Sequence, residues 1–458
     1  MKDLLQKLID TRPDGVYMEV RYHQREQTDI IVRNGKLEKT VYDDHTGVGV
    51  RVLVDGAFGF ASTSSLTKES LTKTAEEAIS AAKNLSRKIK IKNHLAPIKP
   101  IVGHFKNLGS DPLQNHSINE KISLIMNTDK MIHQSDERIK GSMVHFREPF
   151  NHRIILNSDG SNAEIIDTRP DVFVQAIASE NGKNMAFTAV AGITGGWEIY
   201  TKTPPDKLAQ KAVDMSISLL SAPLAKGGRQ AIVMKPDVVG FICHEAIGHT
   251  VESDFVEAGS VVKDKLNQKV ASELVTMLDS GKQKEAAGWL PVDDAGVECK
   301  DVKIIENGIM RSFLHSRSTA YELNVEPGGN ERAFEFNLEP LIRMRNTYLE
   351  PGDYTDEELL EGIDFGYLLG VPQSGQADST AEFMFTVNEA YEIRKGEIGK
   401  LVKNITLTGD AFEVLSTIDA IGKNWQLNSG SDFCYKWQPI KVDGGGGAVR
   451  TKAIVSGE

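Results

Sequence analysis

The sequence predicts an α+β fold: an N-terminal α/β region of antiparallel strands and helices, then a strand-rich C-terminal domain. Three observations carry this expectation. Period-two alternation, as in Gln27-Thr-Asp-Ile-Ile-Val-Arg33, recurs beside Asn-Gly and Asp-Gly turn signals. Amphipathic helical segments with clear start signals lie among those strands in the first half. Beyond residue 228, strands and hairpin signals dominate. A chain of 458 residues accommodates three domains, and the composition shifts place them at 1–110, 111–227 and 228–458.

Taken in order, Met1-Lys-Asp-Leu-Leu-Gln-Lys-Leu-Ile-Asp10 interleaves charge with apolar residues and predicts an amphipathic first helix, not a signal peptide. Tyr17–Tyr22 and Gln27–Arg33 read as strands before the turn Asn34-Gly35, and Gly47–Val54 and Gly56–Phe60 flank a second turn at Asp55-Gly56. A helix follows, with Leu71, Ala75, Ala78, Ile79, Ala82 and Leu85 on one face. Residues 86–112 are basic, then rich in Pro, Gly and Asn, and predict a linker. Ser117 and Glu120 form a capping-box pattern ahead of Ile122, Ile125 and Met126. Strands are expected from about Gly141 to Tyr200, and Pro205-Asp206 opens another helix. Gln230–Met234 is a short strand, and Pro236 starts a helical stretch to about residue 253. Later come hairpin signals at Asn307-Gly308 and Lys395-Gly396, a short helix capped by Thr355 and Glu358, and alternation over Ala381–Val387 and Ala390–Ile393. Gly444–Gly447 lacks the Lys-Ser/Thr of a phosphate loop and reads as a flexible turn.

Composition bounds the function. Apolar residues make up 40% and charged residues 26% of the chain, which excludes wholesale disorder. A net charge of −11 argues against direct nucleic-acid binding over a broad surface. Three cysteines cannot build a disulfide framework and point to a reducing compartment. No apolar run reaches the ~18–20 residues that span a bilayer. A soluble, cytoplasmic protein is expected.

The most informative stretch is Cys243-His244-Glu245-Ala-Ile-Gly-His249. Two imidazoles bind Zn²⁺, and the adjoining glutamate can act as general base on metal-bound water. The spacing raises a difficulty. At about 100° per residue, positions five apart on an α-helix are rotated by about 140°, whereas positions four apart differ by about 40°. The metal reading therefore predicts a widened turn of π type, eased by Gly248. On an otherwise apolar helix, an unpaired Glu245 needs a cation nearby. The competing reading is a pair of core histidines. A catalytic zinc site takes a third protein ligand, and residue spacing leaves Cys299, Cys434, His315, Glu252 and Asp254 as candidates.

These residues resemble the TldD/PmbA metallopeptidases, also called modulators of DNA gyrase. The resemblance rests on His244-Glu-Ala-Ile-Gly-His249 with Glu252-Ser-Asp-Phe255, and continues through Val270–Leu274, Asp293-Asp-Ala-Gly296, Ile305–Ile309, Arg343-Met-Arg-Asn-Thr-Tyr348 and Cys434-Tyr-Lys-Trp-Gln438. Gly47-Val-Gly-Val-Arg51 and Gly59-Phe-Ala61 are also similar, so nearly the whole chain is covered. The resemblance implies a zinc peptidase with ligands His244, His249 and Cys434 and the catalytic carboxylate Glu245. It further implies short or unfolded peptide substrates and a dimer whose site faces an enclosed cavity, either a homodimer or a heterodimer with a motif-lacking paralogue. Carrying the motif makes this chain similar to the TldD type. Tyr435 and Trp437 depart from the glycines more usual beside the cysteine. Arg332, Arg343 and Arg345 are candidates for holding a substrate carboxylate or oxyanion. The alternative function is a non-catalytic peptide-binding subunit with a structural zinc, completed by a fourth ligand such as Glu252 or Cys299.

Overall fold

A computed structural model describes residues 1–377, 380–427 and 433–457. The first half contains α1 (Lys2–Asp10), β1 (Tyr17–Arg33), β2 (Lys36–Val54), β3 (Ala57–Thr63), α2 (Lys68–Ser86) and β4 (Val102–Asn107). It continues with α3 (Ile118–Ser135), β5 (Ile139–Asn157), β6 (Asn162–Thr168), β7 (Asp171–Glu180), β8 (Lys183–Gly192), α4 (Ile199–Lys202) and α5 (Pro205–Ser221). Its strands form one sheet in the order β3-β2-β1-β5-β6-β4, with β7 also pairing β5 and β8 pairing β7. The long strands β1 and β5 run the length of this sheet, so the first 110 residues and the next segment share it. α1 and α2 bury Leu5, Leu71 and Ala78 against Val20, Val50 and Val52. α3 and α5 bury Ile125, Ile132, Ala212 and Leu219 against Val144, Val174 and Phe187.

Local signals account for these elements. Both residues of Asn34-Gly35 (φ 49° and 77°) and of Asp55-Gly56 (48° and 77°) are left-handed, the geometry of tight hairpins whose twist matches the strands. Ser117 and Glu120 make the reciprocal capping bonds that start α3. Gly47 and Gly49 lie in β2 because a Cβ at either would fall within 2.4 Å of Phe336.

β9 (Gly228–Met234) and α6 (Pro236–Phe241) open the second half, a 13-stranded sheet. Its central strand, Asp443–Ser456, pairs antiparallel with β9, Ile405–Asp410 and Ala420–Leu427, and parallel with Asn346–Leu349. α6 and the turns after it pack into the main apolar core through Val238, Val239, Ile242, Ala246 and Ile247. No helix among the described residues is long and apolar enough to cross a membrane.

Three expectations are corrected. The linker at 86–112 contains β4, a half-exposed strand that pairs parallel with β6 and carries no apolar run to announce it. Thr355 and Glu358 do exchange capping bonds (3.2 and 2.8 Å), but a series of turns follows instead of a helix. Gly444–Gly447 is buried within the central strand, not a flexible turn. A Cβ on Gly444 would lie 2.8 Å from the Gly240 carbonyl oxygen, and one on Gly447 2.2 Å from that of Gly422. Glycine is needed there because backbones approach closely.

The halves meet through buried polar bonds. Arg169 donates to the carbonyls of Ala287 (2.7 Å) and Trp289 (3.0 Å). Arg317 donates to Ala96 O (2.9 Å) and Asp159 (2.6 Å). Arg51 bridges Glu19 and Glu331. Asp167 balances this junction, accepting from Arg153 (2.7 Å) and Arg169 (2.8 Å). Burial opposes its charge, but Arg169 and Arg153 outweigh burial and hold the carboxyl at about 2, below its ordinary 3.8. A depressed folded-state pKa gives stability that is complete above the ordinary value and fades as pH falls through the folded one. Asp167→Asn is expected to cost roughly 3–5 kcal/mol near neutrality. The gap to wild type should narrow by about 2 kcal/mol as pH falls from about 4 to below 2. Denaturant unfolding across pH checks this, and a gap that stays constant into acid would contradict it.

Candidate metal centre

The centre is built from a distorted helix and a hairpin. From Ile242 to Gly248 the helix that began as α6 widens into a π-type turn, and the His249 amide donates to the His244 carbonyl five residues back. That extra residue returns His249 to the face of His244, as the spacing requires. Ile242, Cys243, Ala246 and Ile247 point into the core, while Glu245 and His249 stay partly exposed. Gly248 has ordinary helical dihedrals, so its role is spatial. A Cβ there would fall 1.9 Å from Met344 Sδ.

The hairpin Phe433–Tyr435/Pro439–Lys441 presents Cys434 opposite Ile440. Buried side chains fix it. Arg343 donates to the carbonyls of Cys434 (2.7 Å) and Gln438 (2.8 Å), and Arg332 to that of Lys441 (2.8 Å). Lys436 reaches Asp254 (2.7 Å), Glu252 (3.2 Å) and the Ile342 carbonyl (3.1 Å). Arg345 is committed to Asp279 (2.7 Å) and to the carbonyls of Gly328 and Lys300. Arg343 and Arg345 are therefore spent on backbone and core, not turned toward a substrate.

Donor atoms of His244, His249 and Cys434 all lie within 4.8 Å of one another. Cys434 Sγ is 3.3 Å from His249 Nε2. His249 Nδ1 is 3.0 Å from Glu252 Oε2, which orients the ring and leaves Nε2 for the cluster. Both ring nitrogens of buried His244 lack a hydrogen-bond partner among the described residues. Two imidazoles and a thiolate with an unsatisfied buried nitrogen form a donor set that fits a borderline-soft dication such as zinc.

The electrostatics agree. Burial would raise the Cys434 thiol, but His244 and His249 outweigh it and bring the thiol down to about 4. Burial would lower His249, yet Cys434 and Glu252 lift it to about 10. His244 is also raised, against burial, by the Cys434 charge. In the metal-free protein these groups stabilise one another as thiolate and imidazolium, and a bound cation would replace the protons.

The other candidates lie elsewhere. His315 is buried against Ser253 (2.7 Å) and Thr319 (3.1 Å), and burial pushes it down to about 4. Cys299 bonds the Gly329 carbonyl (3.2 Å), and burial pushes its thiol up to about 12. Asp254 is engaged by Lys436, and Glu252 sits behind His249. Glu245 Oε2 lies 3.8 Å from His249 Nε2. With His244, Phe433 and Gly444 it lines a cavity of ≈ 70 Å³ beside the cluster. Tyr435 and Trp437 are 75% and 72% exposed, and neither lines that cavity. Sequence reasoning missed Lys436 and the clamping role of Arg343. Glu252, one helical turn after His249, carried a readable signal for its orienting contact.

Sequence profiles of one family match most of the chain: PmbA/TldA metallopeptidase domain 1 at residues 18–82, the central domain at 111–220 and the C-terminal domain at 227–454. A metalloprotease of Methanocaldococcus jannaschii is 35% identical over 457 residues, covering 99% of each chain. A protein of Saccharolobus solfataricus named as a zinc metalloprotease TldD homologue is 28% identical, covering 90% of each. The crystal structure of TldE from Thermococcus kodakarensis shares the fold at a TM-score of 0.79 with 16% identity, covering 99% of this chain and 98% of that one.

Glu252→Gln is expected to weaken zinc affinity about 10–100-fold by loosening the His249 ring. Competition against a chromophoric chelator measures this, and an unchanged affinity would remove Glu252 from the centre.

Proposed function

The chain belongs to the PmbA/TldD metallopeptidase family, and on that premise we propose that it is a zinc-dependent peptidase in which His244, His249 and Cys434 hold one zinc ion and Glu245 is the general base. The observation that carries this reading is the convergence of three matched donors within 4.8 Å beside a cavity that the carboxylate of Glu245 also lines.

Zinc bound at such a site supplies Lewis acidity to a carbonyl and to water. The residues do the rest. His244 and His249 stand at right angles (80°) with ring centroids 5.2 Å apart, so their nitrogens approach from different directions. Glu252 holds the tautomer of His249, and Arg343 holds the backbone of Cys434. Glu245, partly open to the cavity, accepts a proton from water at Oε2 and passes it to the leaving amine nitrogen. Main-chain pairing of a peptide with a strand edge would give little side-chain selectivity, which suits short or unfolded substrates.

A structural zinc would favour four protein ligands. Among the described residues the cluster has three, which supports the catalytic reading over a non-catalytic peptide-binding subunit. The chain works in the cytoplasm as a dimer with its site facing an enclosed cavity. Its partner is a motif-lacking paralogue or a second copy of this chain. Direct nucleic-acid binding is not part of this reading, given the net charge of −11.

Glu245→Gln should keep its zinc while cleavage of an unstructured fluorogenic peptide falls about 10²–10⁴-fold. Undiminished cleavage would show that another group is the base. Dialysis against a chelator should abolish cleavage in the wild type, and added zinc should restore it. Cleavage that persists without metal would exclude the mechanism.

A further inference from the structure

Where the two halves meet, a second cavity of ≈ 50 Å³ lies next to the metal centre. Phe433, the residue before Cys434, lines both this cavity and the one holding Glu245. The remaining wall is cationic. Arg153, Arg169, Arg332 and Lys441 are buried in it, and the partly buried Arg25 also lines it. We infer that this cavity binds a carboxylate, first of all the C-terminal carboxylate of the peptide whose scissile bond lies at the metal centre. The inference rests on the peptidase reading above and adds a substrate class to it.

The wall holds more positive charge than its neighbours neutralise. Arg153 and Arg169 share the single carboxylate Asp167. Lys441 shares Asp171 (2.7 Å) with Arg147 (2.6 Å). Arg25 is 3.5 Å from Glu335, which His45 also engages. Arg332 spends its terminal nitrogens on the carbonyls of Met344 and Lys441. Burial, then Arg169, Arg343 and Arg153, push its guanidinium down to about 9. The carboxylate on this wall, Asp294, accepts from the Ala333 amide at Oδ2 (2.8 Å), and its Oδ1 is 3.9 Å from Arg21. Clustered buried cations are costly unless a counter-charge reaches them.

Polar atoms also lack partners here. The donor Arg153 Nε, on a buried residue lining the cavity, makes no hydrogen bond among the described residues, and neither do two acceptors on the same wall, Asp294 Oδ1 and His23 Nδ1, whose ring donates through Nε2 to Asn151. A purely structural junction would satisfy them. The open space suits a group the size of a carboxylate and excludes a large side chain. Arg153 Nε is free to donate to one carboxylate oxygen, while the terminal nitrogens of Arg169 and Arg332 are given to Asp167 and to backbone carbonyls and act on the group through their charge. The shared Phe433 places such a group one side chain away from the cavity of Glu245.

The test uses the zinc-loaded Glu245→Gln protein, so that binding is read without cleavage. A short unstructured peptide is titrated calorimetrically as the free acid, as the C-terminal amide, and as the amide with a glutamate near its end. The free acid should bind about tenfold more tightly than the plain amide, a factor worth about 1.4 kcal/mol, and inorganic phosphate should compete with it. Recovery of affinity by the glutamate-bearing amide would support the site with a side-chain carboxylate as its source. Equal binding of all three peptides would overturn the proposal, and Glu245-dependent cleavage by the wild type would still leave the peptidase reading standing. Acid preference without any cleavage by the wild type would do the reverse. Arg25→Gln, at the least buried of these cations, should narrow the acid-to-amide ratio. A ratio unchanged in both Arg25→Gln and Arg332→Lys would place the preference elsewhere and overturn the assignment.

Discussion

The candidate metal centre depends on one interval: its two histidines lie five residues apart. A regular helix would splay them, so the backbone between Ile242 and Gly248 adopts a π-type turn with the His249 amide bonded to the His244 carbonyl. That turn needs room and backing. Gly248 gives the room, since Met344 occupies the space a Cβ would take. The backing is the glycine stretch of the central strand, where Gly444 lets the backbone of Gly240 approach. The position of α6, the pitch of the turn and the composition of the strand beneath it form a single solution.

The second constraint is that a thiolate must be carried to the imidazoles by a separate element. Apolar packing alone does not fix the hairpin bearing Cys434: Cys434 and Ile440 join the main core, but the outward Tyr435 and Trp437 are largely exposed. The hairpin is placed by donors from below as well: Arg343 on two carbonyls, Arg332 on a third, and Lys436 reaching down to Glu252 and Asp254. Arginine suits this work because its rigid fork satisfies several carbonyls at once. Glu252 links the two elements, accepting from Lys436 on the hairpin while holding His249 on the turn. Preorganisation of this kind keeps a site in register without a bound ion.

Much of this was legible in the sequence where the physics is local. Asn34-Gly35, Asp55-Gly56, Asn307-Gly308 and Lys395-Gly396 turn as their dihedral preferences dictate. Ser117 and Glu120 cap α3, and the histidine interval called for a widened turn. Non-local contacts were not legible. β4 is specified by its pairing with β6, and Gly444–Gly447 is buried because other backbones press on it. Residue spacing left Cys434 among several possible ligands, and only the family resemblance singled it out. The cationic cavity draws its wall from β1, β5, the segment after β6, and residues more than a hundred positions later, a juxtaposition no local pattern encodes.

The central claim is that His244, His249 and Cys434 converge to hold one metal ion. X-ray absorption at the zinc edge, on protein purified without affinity metal and loaded with one equivalent of zinc, tests it most directly. The account predicts a first shell of one sulfur with the remaining donors nitrogen or oxygen, imidazole scattering in the outer shells, and loss of the sulfur in Cys434→Ser. A shell without sulfur, or failure of the protein to take up zinc at all, would contradict it and return the two histidines to the core.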